Sequence, residues 1–286
     1  MEFGQMTNDY GNLELHKVLL SAMKDIDMIC RENGLRYYLY AGTLLGAINY
    51  KGFIPWDDDV DIVMFPEDFL KFKKIVEDNY SKWYEMDGFD NDKTFYTKMN
   101  ALRIKGTVME FEEESHEIFI DIQVLHNIPD KKLARWRQRK EIEFINLILC
   151  AKSGHITPTS RISKLILGNM AKISRKKLGM WLDKIMTRYD KIETEYVGIM
   201  CNTMTCNPYT GRKGYDTDMT KKASHVNAQY IPFEDTLFMA IAAPEEYMEW
   251  QYGSNWNMPY PEEKRIKKHS VKSYSISPEV RQRVGL

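Results

Sequence analysis

Residues 37–65, YYLYAGTLLGAINYKGFIPWDDDVDIVMF, decide the fold, because strand-like and helix-like patterns alternate within them. The run at 35–40 is rich in aromatic and other β-prone side chains, which favours a strand. AGTLLGAI at 41–48 is typical of a glycine turn that opens a short helix. DVDIVMF at 59–65 is again strand-like. Strands and helices that interleave in this way predict an α/β (α+β) core built on a mixed sheet.

Four aspartates, Asp57, Asp58, Asp59 and Asp61, stand directly after a Pro-Trp pair and directly before an apolar run. Side chains two residues apart in an extended strand point to the same face, so Asp59 and Asp61 are expected to project together. Two adjacent carboxylates repel each other unless a cation lies between them. Such oxygen ligands predict Mg²⁺, with Mn²⁺ as the alternative ion. Asp121, in the apolar run IFIDIQVL, is expected to join the same metal, because an uncompensated carboxylate on a central strand is costly.

The glycine turn predicts a second part of this site. Gly42 lets the backbone approach a phosphate closely, Thr43 offers a hydroxyl group, and the first helical amides form an anion site. We therefore expect an anion cradle on one side and metal-bound carboxylates on the other. Together with Asp59, Asp61 and Asp121, this turn predicts a nucleotidyltransferase-type site for phosphoryl transfer.

The acidic motif also fits other classes of site, and the flanking residues decide among them. A calcium loop needs Gly at its sixth position and Glu at its twelfth, where this chain has Ile62 and Asp68. A haloacid-dehalogenase-type phosphatase places its Asp-x-Asp motif after an apolar strand, whereas FIPWDD stands there in this chain. A solvated turn does not explain an acid pair that interrupts an apolar run. A metal-dependent nucleotide-sugar glycosyltransferase and a non-catalytic module that binds an anionic glycan remain as alternatives.

The whole chain divides by composition and periodicity into three parts. Apolar residues at helical spacing predict an amphipathic helix at 12–33 that Gly34 ends, and a Pro-acid start predicts a helix at 66–80. Further strands are predicted at 95–104, 107–111 and 118–125. We expect a nucleotidyltransferase-like core at 1–130, a basic helical segment at 131–195, and a C-terminal region at 196–286 that completes the core and the site.

The composition is that of a folded protein with an apolar core. Of the 286 residues, 43% are hydrophobic and 28% are charged, which is too apolar for a disordered chain. No apolar run approaches the roughly 18 residues that cross a bilayer. The N-terminal residues do not resemble a secretion signal. We therefore predict a cytoplasmic protein whose four cysteines are buried thiols.

Positive charge is concentrated in one block. Between Lys131 and Arg188 there are 15 Lys and Arg residues against three acids, an excess of 12 positive charges in a chain of net charge −1. Such a block is typical of a solvated helical surface or of a surface that meets a polyanion. Trp136, Phe144 and Trp181 are too few to form the stacking platform of a single-strand binder, so no nucleic-acid partner is predicted. An anionic glycan, or peripheral contact with an anionic membrane, is expected instead.

The motif GTLLGAINYKGFIPWDDDVDI resembles the signature of the LicD family. The similarity extends through YYLYAGTLLGA and FIDI to YMEWQYGSNWNMPYPEEKRIKKH, so it covers most of the chain. Bacterial members of the family transfer phosphocholine from CDP-choline to cell-surface glycans, and eukaryotic relatives include the fukutin-type transferases. The resemblance implies a nucleotidyltransferase fold with Asp59, Asp61 and Asp121 as metal ligands and with Gly42 and Thr43 in the phosphate-side turn.

The resemblance also implies a reaction and roles for the remaining candidate residues. A Mg²⁺-dependent enzyme would move phosphocholine from CDP-choline, or a related group from another CDP-alcohol, to a hydroxyl of a teichoic acid or lipopolysaccharide precursor, and release CMP. A lipid-linked glycan acceptor would place the enzyme at the inner face of the plasma membrane. From the residues themselves, we expect Asp121 to take a proton from the acceptor, and Lys98 and Arg103 either to assist the phosphates or to be solvated strand residues. Because ring faces hold a quaternary ammonium group, the candidates for a cage around choline are Trp56, Trp250, Trp256 and Tyr260.

Overall fold

The computed structural model of the protein describes residues 10–89, 99–112, 115–154, 156, 167–170, 172–201, 206–212, 214–265 and 271–286. The chain forms two compact units, each assembled from separated stretches. The first unit comprises Met1–Met86, Ala101–Gln123 and Ser224–Leu286, and the second comprises Asp87–Asn100 and Val124–Ala223. The three-part division expected from the sequence, with boundaries at residues 130 and 195, stays a prediction.

Helices and strands are both present throughout the chain, which confirms the predicted α/β (α+β) fold class. The helices are α1 (Leu13–Asn33), α2 (Ala41–Asn49), α3 (Pro66–Asn79), α4 (Lys132–Lys152), α5 (Arg175–Met186), α6 (Gly214–Thr217), α7 (Ala223–Val226), α8 (Pro244–Tyr252) and α9 (Pro278–Val284). The strands are β1 (Tyr38–Leu39), β2 (Asp61–Met64), β3 (Tyr84–Gly88), β4 (Asn100–Ile104), β5 (Thr107–Glu110), β6 (Ser115–His116), β7 (Phe119–Val124), β8 (His126–Ile128), β9 (Tyr196–Gly198), β10 (Met219–Lys221), β11 (Gln229–Phe233), β12 (Thr236–Ala240) and β13 (Ser273–Ile276). Short 3₁₀ helices cover Thr187–Tyr189 and Glu262–Lys264.

A five-stranded sheet in the order β1-β2-β7-β4-β3 carries the acid-rich strand. Strands β1 and β2 are antiparallel, with Leu39 opposite Ile62. Strands β7 and β4 are also antiparallel, with Asp121 opposite Ala101. Because β2 and β7 are neighbours, the strand that begins at Asp61 lies beside the strand that carries Asp121. Three smaller sheets have the orders β13-β5-β6, β11-β12 and β10-β9-β8.

Helix α1 buries its apolar face, as the spacing of its residues predicts. The buried side chains are Leu15, Val18, Leu19, Ala22, Met23, Ile26, Ile29 and Cys30. The helix ends at Gly34, whose φ of 62° lies in the left-handed region that glycine adopts at little cost. The N–H of Leu35 then donates to the carbonyl of Cys30 at 2.8 Å, which closes the last turn. The helix predicted at 12–33 therefore agrees with the observed helix to within one residue at each end.

The second unit has an apolar core of its own, to which α4 and α5 contribute one face each. Its buried residues are Phe89, Ile128, Ile142, Ile145, Ile148, Leu149, Leu167, Leu178, Leu182, Ile185, Met186 and Met200. Gln138 of α4 is fully buried and its Nε2 donates to the carbonyl of Ile185 in α5 at 2.9 Å, which joins the two helices. The predicted helical character of the basic segment is confirmed over these two helices.

The cysteines follow the prediction with one exception. All four are free thiols; Cys30, Cys150 and Cys201 are buried, whereas Cys206 is exposed, so the expectation of a buried thiol is wrong for Cys206. Cys206 lies in a turn-rich stretch whose backbone stays near solvent, and its Sγ is 3.3 Å from the carbonyl oxygen of Gly211. Burial raises the pKa of the Cys30 thiol, which keeps it protonated. Among the described residues, no helix combines the length and the apolar character that a membrane crossing requires.

Candidate active site

Three consecutive carboxylates form a tight cluster in the first unit. Each of Asp57, Asp58 and Asp59 offers an oxygen, and these oxygens all lie within 4.8 Å of one another. Asp57 and Asp58 are each only 4% exposed, and Asp59 is half-buried. Within the part of the chain that the structure describes, this is the one group of three acidic, His or Cys side chains with such spacing. Three oxygen donors of like charge suit a hard divalent cation, which offsets their mutual repulsion.

The structure groups Asp59 with Asp57 and Asp58, whereas the sequence predicted a group of Asp59, Asp61 and Asp121. Asp59 precedes strand β2, which begins at Asp61, so the strand predicted at 59–65 begins two residues later than expected. The reason is local, because a turn bond from the N–H of Asp57 to the carbonyl of Ile54, at 2.9 Å, shapes the chain before β2. Asp61 and Asp121 are half-buried, and their role as metal ligands stays a prediction.

Hydrogen bonds tie the start of β2 to the glycine turn. The Oγ1 of Thr43 accepts from the N–H of Asp61 at 2.8 Å, and the N–H of Tyr40 donates to the carbonyl of Asp61 at 3.1 Å. From the other side, the N–H of Asp121 donates to the carbonyl of Val60 at 2.9 Å. Gly42 and Thr43 are buried in the first turn of α2. The predicted turn and Asp61 are thus brought together, and the hydroxyl of Thr43 positions the strand.

Two polar side chains at the start of α1, Asn12 just before the helix and His16 in its first turn, hold the segment that carries the acids. The Nδ2 of Asn12 donates to the carbonyls of Asp57 and Pro55 at 3.1 and 3.2 Å. The Nε2 of His16 donates to the same carbonyl of Asp57 at 2.8 Å, and its ring stacks on Phe53 with the centroids 4.2 Å apart. Asn12 has no exposed surface. Sequence reasoning missed both residues, because they lie about 40 positions before their partners and no local pattern connects them.

Two glycines allow the backbone to pack closely behind the acid cluster. A Cβ on Gly46 would lie 2.5 Å from the carbonyl oxygen of Gly52, and a Cβ on Gly52 would lie 2.0 Å from Oε1 of Glu234. That same Oε1 accepts from the N–H of Phe53 at 3.0 Å, while the N–H of Glu234 donates to the carbonyl of Lys51 at 2.7 Å. The β11-β12 turn therefore supports residues 51–53, a contact that the sequence did not predict.

Trp56, predicted to contact the donor, lies in an aromatic cluster and is 5% exposed. Its ring stacks on Tyr260 with the centroids 6.1 Å apart, and Tyr50 meets it edge-on at 5.9 Å. The guanidinium of Arg265 lies 5.4 Å from the Trp56 centroid, which is the kind of contact that a quaternary ammonium group makes. Burial raises the pKa of the Tyr50 hydroxyl, although Arg265 opposes this shift, so Tyr50 stays neutral near neutral pH. The structure therefore brings together two of the four predicted cage residues.

Arg103 shares a face of the sheet with Asp121. It stands opposite Phe119 in the antiparallel pairing of β4 and β7, and residues opposite each other point to the same side. Asp121 is two residues from Phe119 and therefore points to that side too. The Arg103 side chain is 11% exposed, and its Nη1 lies 4.0 Å from Oε2 of Glu117.

Three further candidates receive no role from the geometry. Lys98 lies outside the described residues. Trp250 and Trp256 are half-buried, and the carbonyl of Trp256 accepts from Nδ2 of Asn49 at 3.3 Å. Their parts in phosphate binding and in a choline cage stay predictions.

Comparisons with known proteins identify the domain that carries this site. Residues 34–147 match the family model described as LicD/FKTN/FKRP, nucleotidyltransferase domain. The chain is 23% identical over 270 residues, 92% of its length, to the lipopolysaccharide cholinephosphotransferase LicD of Haemophilus influenzae, of which the match covers 97%. An uncharacterised protein of Rickettsia typhi is 41% identical over 58 residues, 20% of this chain and 19% of that protein. The predicted resemblance to the LicD family is confirmed, because residues 34–147 match its nucleotidyltransferase domain and the similarity to the Haemophilus influenzae LicD protein extends over 92% of the chain.

Proposed function

We propose that the protein is a transferase that moves phosphocholine from CDP-choline to a hydroxyl group of a cell-surface glycan precursor and releases CMP. The observation that carries this proposal is the cluster of Asp57, Asp58 and Asp59 within the LicD-type domain. It stands just before Asp61, whose backbone is bonded to Thr43 in the phosphate-side turn. Further support comes from the similarity to the Haemophilus influenzae protein named as a cholinephosphotransferase.

The donor set suits Mg²⁺, with Mn²⁺ as the alternative ion, because every candidate ligand is a carboxylate oxygen. Asp57, Asp58 and Asp59 would hold the ion, and Asp61 and Asp121 are the further ligands that the sequence predicts. A bound divalent ion supplies charge neutralisation for the donor diphosphate as CMP leaves. The supporting contacts of Asn12, His16 and Thr43 would keep the backbone of this segment in place during turnover.

The other predicted residues divide the remaining tasks. The buried first turn of α2, with Gly42 and Thr43, would receive the phosphates at its backbone amides. Arg103 would add positive charge on the face that it shares with Asp121, and Asp121 would take the acceptor proton. Trp56, whose ring already holds the guanidinium of Arg265, makes the cation contact that a choline head group would make in its place.

The acceptor belongs to the same proposal. We expect a glycan that carries a free hydroxyl, either a lipopolysaccharide precursor, as in the name of the Haemophilus influenzae relative, or a teichoic acid precursor. A lipid-linked precursor would be met at the inner face of the plasma membrane by a cytoplasmic enzyme.

A thermal-shift titration tests the donor without any acceptor. CDP-choline, CDP-ethanolamine, CDP-glycerol, CDP-ribitol and UDP-glucose are each added with and without Mg²⁺. A ligand that binds only the folded state raises the melting temperature, because it adds about 2.7 kcal/mol of stability at a concentration 100 times its Kd. We expect a Mg²⁺-dependent rise with CDP-choline that Asp59→Asn abolishes. The matched control is Asp78→Asn, which changes an exposed acid at the end of α3 in the same unit.

The other outcomes point to other functions. A response to UDP-glucose alone would indicate a glycosyltransferase, and a response to no nucleotide at all would favour a glycan-binding module.

In a second assay, CMP release from CDP-choline with a lipopolysaccharide acceptor should fall by about 100- to 1,000-fold in Asp59→Asn, because charge stabilisation at the reacting phosphate is lost.

A further inference from the structure

Helix α4 has two apolar faces, of which one lies in the core of the second unit and the other is exposed. Its inner face contributes Ile142, Ile145 and Leu149 to the core of the second unit. On the outer side, Leu133 is 76% exposed, Trp136 is 55% exposed and Phe144 is 46% exposed. Steps of three and eight residues bring these side chains to one side of an α-helix, opposite the buried residues. A large aliphatic and two aromatic side chains therefore share a solvent-facing stripe.

Basic side chains interleave with this stripe. Arg137 and Lys140 lie between Trp136 and Phe144 on the same side of the helix, with side chains that are 72% and 46% exposed. We call the five residues Leu133, Trp136, Arg137, Lys140 and Phe144 the α4 face. In α5, the second helix of the basic block, Met180 is 54% exposed and Trp181 is 37% exposed, with Nζ of Lys177 5.4 Å from the Trp181 ring.

The acids of α4 do not make this region negative. Glu141 accepts from Arg137 at 2.9 Å and lies 2.5 Å from Nη2 of Arg188. Burial raises the pKa of Glu141, but these arginines outweigh it, and the pKa ends below its usual range. Glu143 lies 2.6 Å from Nζ of Lys140 and is therefore paired as well. The excess of 12 positive charges between residues 131 and 188 remains after these pairs are counted.

We propose that the α4 face lies in the headgroup region of an anionic lipid bilayer. Exposed Trp, Phe and Leu side chains would enter the boundary between headgroups and acyl chains, where amphipathic helices bind. Arg137 and Lys140 would extend their charged ends to lipid phosphates while their stems cover apolar surface. The proposal concerns the second unit and needs neither donor nor metal, so it goes beyond the proposed transfer reaction.

The chemistry of the face favours a bilayer over other polyanionic or apolar partners. A protein partner, including a second copy of this chain, would bury Lys140 among apolar contacts, whereas interfaces are depleted in Lys. A nucleic acid would leave Leu133 and the aliphatic part of the stripe without an apolar partner. A bilayer surface suits both kinds of side chain on one helix face, since the acyl chains and the lipid phosphates are only a few ångströms apart there.

Vesicle sedimentation of the full-length protein, without nucleotide or Mg²⁺, tests the proposal. One set of vesicles is phosphatidylcholine alone, and the other contains phosphatidylglycerol as well. We expect sedimentation with the anionic vesicles only, weakened by added salt. The variant L133S/W136S/F144S should bind at least about tenfold more weakly, because it loses its buried apolar area. Lys140→Ser alone should weaken binding about fivefold through the loss of one basic residue.

Matched controls come from equally exposed apolar residues of the first unit. Leu70 and Met258 are 65% and 63% exposed, and L70S/M258S should sediment like the wild type. Circular dichroism and the melting temperature of the triple variant should match the wild type, because only solvent-facing side chains change.

Three results would overturn the proposal. Equal sedimentation with neutral and anionic vesicles would contradict the role of charge, and undiminished binding of the triple variant would contradict the α4 face itself. Light scattering that finds a wild-type dimer and a monomeric triple variant would assign the face to a second copy of the chain. None of these results bears on the thermal-shift response to CDP-choline, so the two proposals fail separately.

Discussion

Two regions of the molecule depart from the usual arrangement of side chains in opposite ways. One is the segment that carries the acids, and the other is the α4 face. At residues 53–61, which we call the acid loop, polar side chains are buried, as with Asp57 of the loop and with Asn12 and Thr43, which hydrogen-bond to its backbone. On the α4 face, large apolar side chains point outward, as with Leu133 and Trp136. Ordinary surfaces and cores need neither feature, so both regions show positions where the chain departs from simple burial.

The buried polar groups and the exposed apolar side chains have different physical consequences. A buried polar group is costly unless it is hydrogen-bonded, so Asn12 and Thr43 each specify where a backbone group of the acid loop must be. An exposed apolar side chain specifies no geometry, and it gains free energy from any surface that removes it from water. The acid loop is therefore built for precise positions, and the α4 face for contact with a broad surface.

The largest expected loss of stability comes from a substitution on the buried face of α4, and a substitution on the outer face of the same helix provides the comparison. Ile142→Ala leaves a cavity in the core of the second unit, where Ile142 has no exposed surface, and should lower the free energy of unfolding by about 2–5 kcal/mol. Leu133→Ser, on the outer side of the same helix, should change it by less than about 0.5 kcal/mol. Urea unfolding followed by circular dichroism measures both. Similar losses in the two variants would show that the outer face packs against protein.

A smaller loss is expected where the backbone packs behind the acid loop. In Gly46→Ala, the new Cβ would meet two backbone atoms, the oxygen of Gly52 at 2.5 Å and the nitrogen of Ile54 at 3.2 Å. Because the acid loop must shift, the free energy of unfolding should fall by about 1–3 kcal/mol. In the control Gly168→Ala, no heavy atom of the residues that the structure describes lies within 4 Å of the new Cβ, and stability should not fall. A melting curve for each variant distinguishes them; equal curves would mean that the loop tolerates the displacement.

The smallest loss of stability, with the larger consequence for binding, is expected at Asn12. Asn12→Ala removes the donor of two hydrogen bonds to acid-loop carbonyls and should cost about 1–2 kcal/mol of stability. If the cluster of Asp57, Asp58 and Asp59 holds Mg²⁺, the affinity for that ion should fall about 10- to 100-fold, because a supporting contact is lost. Isothermal titration with Mg²⁺ measures the affinity.

The control for this variant is Asn33→Ala, at the other end of α1. The Nδ2 of Asn33 donates only to the carbonyl of Ile29 in its own helix, at 2.8 Å. Its replacement should leave Mg²⁺ affinity unchanged. An Asn12→Ala protein that is less stable but binds Mg²⁺ as the wild type does would show that the contact supports the fold and not the metal site.

Local patterns predicted the elements of the first unit well, because each depends on side chains close together in the sequence. The spacing of apolar residues in α1, the stop at Gly34 and the helix after Tyr40 all appear where expected. The strand prediction at 59–65 was too long at its start, since the N–H of Asp57 bonds back to Ile54 in a turn. A pattern of alternating side chains does not reveal such a turn, because Asp and Val alternate equally well outside a strand.

Local sequence patterns are enough to predict the α/β character, the main helices, the acid motif with its neighbouring glycine turn, and the resemblance to the LicD family. The tertiary structure alone decided which acids cluster, that Asn12, His16 and Glu234 support them, and that Leu133, Trp136 and Phe144 face outward. The physical reason is the range of the interactions concerned. Helix periodicity and turns depend on neighbours in the chain, whereas burial and carbonyl positions depend on residues that meet only when the chain has folded.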